Sequence, residues 1–140
     1  MLTQSEADRL VKMKKIIESE LVVIPAPGDR LNINAHSEDG KEHFAIDIYR
    51  GRIDIKKCNM QNIYRKTIPL MSLHIVHENY KHINPDGTVV VGPHLHIYKE
   101  NYGTRFAIPY NVVDNLPENV VKFFKECNII NIPYIQGRIG

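Results

Sequence analysis

Tryptophan is absent from this chain, and cysteine occurs only twice, as Cys58 and Cys127. The two cysteines stand far apart and form no C-x-x-C pair. That excludes a zinc ribbon and a thioredoxin-like motif and argues against a disulfide framework. There is no G-x-G-x-x-G, no P-loop and no G-x-S-x-G, so dinucleotide binding, P-loop phosphate binding and serine hydrolysis have no support. The opening MLTQSEADRL lacks the basic-then-apolar order of a secretory signal. No apolar run approaches the length of a membrane span. The expectation is a cytoplasmic, reduced protein without a membrane partner. No repeat, low-complexity stretch or linker interrupts the 140 residues, so one domain over 1–140 is expected.

Net charge is scarce as well, at +2, which by itself does not imply a nucleic-acid partner. Its distribution says more. Between residues 50 and 66 lie Arg50, Arg52, Lys56, Lys57, Arg65 and Lys66, with Asp54 as the sole acid. A locally basic stretch on a near-neutral chain suggests a polyanionic ligand; a solvated strand face is the plainer account.

Helical spacing of Leu10, Met13, Ile17 and Leu21 predicts a first helix over about Thr3–Glu20, with Ser5 and Asp8 as a capping box. From Leu21 to Tyr110 the period changes to two. LVVIP, RLNINAHS, HFAIDIYR, RIDIKK, TIPLMSLHIVH, HLHIYKE and RFAIPY read as strands, and NMQNIYRK as a less regular piece. The longest loop is HENYKHINPDGTVVVGP, with NPDG as a turn rather than a calcium loop. A second helix is expected over Leu116–Cys127, capped by Asn115 and Glu118 with Pro117 in its first turn. The whole predicts an α+β fold: an antiparallel sheet of about 6–7 strands with an N-terminal and a C-terminal helix on one face.

Alternation then sorts residues by face. Leu95 and Ile97 take the core side, and His94, His96 and Tyr98 the other. Met71, Leu73 and Ile75 oppose Leu70, Ser72 and His74. Phe44, Ile46, Ile48, Ile53 and Ile55 oppose Asp47, Tyr49, Arg52, Asp54 and Lys56. One face therefore collects His, Tyr, Arg, Lys and Asp. Antiparallel sheets often leave one face wet, which is the simplest reading. A second is a metal site: H-x-H on a strand offers two imidazoles to one ion, with a third ligand from His74, Asp47, Asp54 or Glu100. A third is metal-free acid–base cleavage of RNA, with histidines moving protons and cations on the phosphate. His36 and His43 flank a turn. His77 and His82 sit in the long loop, from which His82 could join the site.

The segments YRGRIDI, QNIYRKTIPL and HINPDG…GPHLHIYKENYG resemble a family of small uncharacterised proteins of bacteria and their prophages, a domain of unknown function numbered 6978. The resemblance runs from SEADRL to the C-terminal helix. It carries no established activity and no catalytic residues. It implies a bacterial or phage protein in a mobile-element or defence setting, where small ribonuclease toxins are common. The expectation is thus a toxin-like endoribonuclease without cofactor or metal. His94, His96 and His74 would transfer protons, and Tyr98 would position a base or the scissile group. Arg50, Arg52, Lys56, Arg65 and Lys66 would hold RNA or another nucleic acid. The alternatives are a non-enzymatic protein that binds a host defence complex, a cognate partner such as an antitoxin, or nucleic acid, and a His-x-His metal enzyme.

Overall fold

The computed structural model describes residues 1–54 and 56–137. The chain begins with a short helix, α1 (Gln4–Lys12), and an edge strand, β1 (Lys15–Ile17). The cap lies two residues earlier than the sequence suggests. The Thr3 hydroxyl accepts the Glu6 N–H, and the Glu6 carboxylate accepts the Thr3 N–H, which satisfies two orphan donors reciprocally. The helix also stops earlier than predicted. Met13 leaves helical geometry, and the stretch Lys15–Ile17 pairs with a strand instead. Helical spacing in Leu10, Met13 and Ile17 thus overran an α–β junction, because apolar residues on both sides of it face the same core.

Lys15 explains how that junction is held. Its ammonium, fully buried, donates to the carbonyls of Val11, Met13 and Cys127 at 3.0, 2.9 and 2.8 Å. It also lies 4.8 Å above the centre of the Phe44 ring. Three donors thus meet three carbonyls at the ends of two helices, where the macrodipole favours a cation.

The next elements are β2 (Leu21–Val23), β3 (Arg30–Ser37), β4 (His43–Arg50), β5 (Cys58–Tyr64), β6 (Ile68–Ile75), β7 (Lys81–Ile83), β8 (Val89–Val91), β9 (His94–Ile97) and β10 (Ala107–Pro109). The chain closes with α2 (Leu116–Glu126) and β11 (Tyr134–Gln136). Seven strands form one antiparallel sheet in the order β1-β3-β4-β5-β6-β9-β10. β11 pairs with β2 in parallel, and β7 with β8 as a separate hairpin. The protein is α+β, with both helices on one face of the sheet. Leu10 of α1 and Val120, Phe123 and Phe124 of α2 join Ile46, Ile48, Met60 and Leu73 in one buried cluster. The Asn115 side chain caps α2 by accepting the Glu118 N–H, as the sequence predicts.

Two segments exchange roles relative to the sequence reading. RIDIKK is a loop, not a strand: the Gly51 N–H donates to the Lys57 carbonyl and the Lys57 N–H to that of Asp54. Ile53 is 100% exposed instead of in the core, and Ile55 lies outside the described residues. NMQNIYRK instead supplies all of β5 after Cys58, and the inward residues of that strand are Cys58, Met60, Asn62 and Tyr64. Asn62 breaks the apolar alternation and hid the strand. Its side chain is 0% exposed, and neither its oxygen nor its nitrogen finds a hydrogen-bond partner. An unpaired buried amide costs about 1–3 kcal/mol. Asn62→Leu is therefore expected to raise the free energy of unfolding by about that amount, measured by urea denaturation. An unchanged or lowered urea midpoint would contradict this account of Asn62.

Candidate metal centre

The face away from the helices carries two residue rows across the sheet. The registers align Tyr49, Asn59, His74, His94 and Pro109 in one row, and Asp47, Gln61, Ser72, His96 and Ala107 in the next. Because β6 and β9 are neighbours, His74 lies directly opposite His94, and Ser72 opposite His96. Side chains so paired stand about 5 Å apart at Cβ. The three imidazoles therefore converge. Their ring centres are separated by 5.1 Å (His74–His94), 4.5 Å (His74–His96) and 4.9 Å (His94–His96). One nitrogen from each lies within 4.8 Å of the others.

These rings are not on a wet surface. His94 is 0% exposed, His96 5%, and His74 partly buried. The cover is the β7–β8 hairpin, which occupies what the sequence suggests is the longest loop. Its NPDG turn is present, with the Gly87 N–H on the Asn84 carbonyl and Gly87 at φ 89°. In β7 and just beyond it, His82 and Asn84 face inward, while Lys81 and Ile83 face out. Asn84 clamps the hairpin to β10 by exchanging hydrogen bonds with the Ala107 backbone at 3.0 and 2.8 Å. His82 is brought against the cluster, 5.2 Å from His94 and 4.7 Å from His96 between ring centres. Its inward direction follows from strand alternation within KHIN, which becomes readable only once those residues are seen as a strand.

Hydrogen bonding leaves ligand atoms free. The His94 Nδ1–H donates to the Gly92 carbonyl at 2.9 Å, so its Nε2 carries a lone pair, and that atom is buried without a partner. Neither nitrogen of His96 makes a hydrogen bond of good geometry, although the Thr104 backbone lies close enough to favour its protonated form. His74 Nε2 pairs with the Ser72 hydroxyl at 3.0 Å. Burial pulls His74 down to about 3, helped by His96, His94, His82 and Lys57. Burial likewise lowers His96 to about 4, and His94 in the same direction; only the Gly92 carbonyl for His94 and the Thr104 backbone for His96 act the other way. All three imidazoles are thus neutral at pH 7, the form that ligates metals. Zinc–imidazole bonds of about 2.0–2.1 Å require nitrogens roughly 3.3 Å apart, so the trio fits a metal after a small inward movement of the rings.

The remaining sequence-predicted residues disperse. Tyr98 does not join the histidines: its hydroxyl donates to the Leu2 carbonyl at 2.7 Å beside α1. The register of β5 against β6 shifts between Asn62 and Ile63, leaving Leu70 as an extra residue, and the Tyr98 N–H bonds to the Leu70 carbonyl. This bulge offsets the alternation for both Leu70 and Tyr98, and both are buried. Asp47 pairs with Arg30 at 3.2 Å, Asp54 with His77 at 2.9 Å, and Glu100 accepts the Gln4 N–H. Arg50 donates to the Pro25 carbonyl, while Arg52 and Lys56 are exposed on the loop following β4, at the His74 end of β6. Arg65 and Lys66 form the β5–β6 turn, both at positive φ, and Arg65 pairs with Glu42 at 3.7 Å. That turn lies at the other end of β6, roughly 20 Å of strand from His74. The basic stretch is therefore split, and its two halves do not surround one phosphate. Cys58 is buried and its thiol is pushed up to about 12, consistent with a core residue.

Fold and site together define a small α+β protein with a buried three-histidine centre under a hairpin. The chain belongs to a family of unknown function, DUF6978, which matches residues 2–129. No curated protein and no solved structure matches it. No helix among the described residues is long and apolar enough to cross a membrane.

Proposed function

We propose that His74, His94 and His96 hold a divalent transition metal, zinc foremost, and that the protein is a metal-dependent enzyme acting by hydrolysis. The observation that carries this reading is the convergence of three inward-facing imidazoles, two of which, His94 and His96, keep buried nitrogens without a hydrogen-bond partner. Buried polar atoms are normally satisfied, and such atoms gathered at one point call for a ligand. Three imidazoles form the protein part of a catalytic zinc site, with a fourth position left for water or substrate. A metal there would activate water and polarise a carbonyl or phosphoryl oxygen.

Metal-free cleavage of RNA is less well supported. It needs one imidazole protonated near neutral pH to act as the acid. Burial opposes that charge on each of the three rings. RNA remains one of the substrates to test, since Lys57 lies near enough to influence His74. Protein stripped of metal and titrated with zinc is expected to bind one equivalent. His94→Ala and His96→Ala should each weaken binding about 100-fold or more in calorimetric titration. Zinc binding that survives both substitutions would overturn the site. Hydrolysis of RNA or activated esters that is indifferent to chelation would overturn the metal-dependent activity.

A further inference from the structure

We propose that His82 is the fourth ligand of this centre, delivered by the β7–β8 hairpin, so that the metal is held closed by four imidazoles until the hairpin lifts. The inference rests on the three-histidine site proposed above and adds what occupies its fourth position. Tetrahedral coordination asks for four donors at similar mutual spacing. His82 lies 4.7 and 5.2 Å from His96 and His94 between ring centres, against 4.5 to 5.1 Å among the other three rings. It thus keeps that spacing to two of the three rings; the nitrogens already within 4.8 Å of one another are those of His74, His94 and His96, so His82 completes the set by moving inward with its hairpin.

Its hydrogen bond matches as well. His82 Nε2–H donates to the Arg105 carbonyl at 3.1 Å, which leaves the lone pair on Nδ1. His94 is held in the complementary way, with Nδ1–H on the Gly92 carbonyl and Nε2 free. A metal-ligating histidine commonly gives its other N–H to such a carbonyl, which fixes ring and tautomer.

What sets His82 apart is its element. His74, His94 and His96 stand on β6 and β9, locked in the seven-stranded sheet. The β7–β8 hairpin is a separate two-stranded ladder, fastened to the β9–β10 region by Asn84 on Ala107 and by His82 on Arg105. Gly92, at φ 84°, lies at the exit of the hairpin, where a side chain would press on the Glu78 carbonyl at 3.3 Å. Three ligands are therefore rigid and the fourth moves with its hairpin. The closed form excludes exogenous ligands, and displacement of the hairpin opens one position for substrate.

Cobalt(II), which reports coordination through its visible absorption, tests this on the full-length chain. The wild-type complex is expected to show a four-coordinate spectrum that added imidazole leaves unchanged. His82→Ala should still bind one equivalent, with affinity lowered about 10-fold to 100-fold, and its spectrum should return to the wild-type form when imidazole is added. His82→Gln, which keeps a donor for the Arg105 carbonyl, should behave like His82→Ala; this guards against a mere loss of hairpin packing. Identical spectra and imidazole responses in wild type and both variants would overturn the His82 assignment while leaving the three-histidine site intact. Failure of the wild type to bind cobalt would overturn both.

Discussion

Metal-free protein is expected to lose stability steeply as the pH falls from 6.5 toward 4. In the folded chain His74 and His96 titrate at about 3 and 4, against 6.5 for an ordinary histidine, and His94 is shifted the same way. The first cause in each case is burial under the hairpin, and His82 adds repulsion at all three; Lys57 adds its charge at His74. Between those values and 6.5 the unfolded chain binds more protons than the folded one, so stability rises with pH across that interval and is lost on acidification. Above 6.5 the contribution is fully present. Urea midpoints measured at pH 7, 6, 5 and 4 should fall progressively, and His96→Leu should flatten the dependence. Bound zinc should raise the midpoint at pH 7 and lose that protection over the same range, because protons compete for the same nitrogens. A midpoint that stays level between pH 7 and 4.5 would mean that the imidazoles take up protons freely in the folded state, contrary to their burial.

Lys15→Met is expected to be the most destabilising single substitution outside the metal centre. The change keeps the aliphatic stem but removes the donor shared by Val11, Met13 and Cys127. Leaving such buried groups unpaired costs about 3 kcal/mol or more, a fall of roughly 10 °C in melting temperature for a domain of this size. Lys15 carries a pH signature too. Burial pulls its ammonium from 10.5 down to about 8. The folded value lies below the unfolded one, so the unfolded chain binds the extra proton between about pH 8 and 10.5, and stability should increase with pH over that window. Chemical denaturation at pH 7.5 and 9.5 should show the rise in wild type and not in Lys15→Met. A variant as stable as wild type would show that the three carbonyls do not depend on the ammonium.

Much of the fold was legible from local pattern. β3 follows the alternation of RLNINAHS residue for residue, and β4 that of HFAIDIYR except at Ala45, which is buried on the outer face. The Asn115 cap, the start of α2 at Leu116 and the NPDG turn each follow from residue chemistry acting over three or four positions. The errors share a cause: nonlocal contacts override local preference. RIDIKK alternates as a strand should, yet its backbone closes on itself through Gly51, Asp54 and Lys57. NMQNIYRK alternates poorly, yet it is central, because β4 and β6 supply both of its ladders and tolerate a buried Asn62. The bulge at Leu70 moved Tyr98 away from the histidines.

The sequence by itself determined that His94 and His96 share one side of their strand and that His74 faces away from the core of its own. A side-chain period of two is a property of the backbone and needs no partner. Only the tertiary structure decided that β6 and β9 are neighbours, and that the hairpin between them folds over their polar face with His82 beneath it. Strand order is set by how the apolar faces are buried together, a sum over the whole chain that no segment of it encodes. That pairing turns H-x-H, a weak pattern alone, into three imidazoles around one point, with a fourth poised above them.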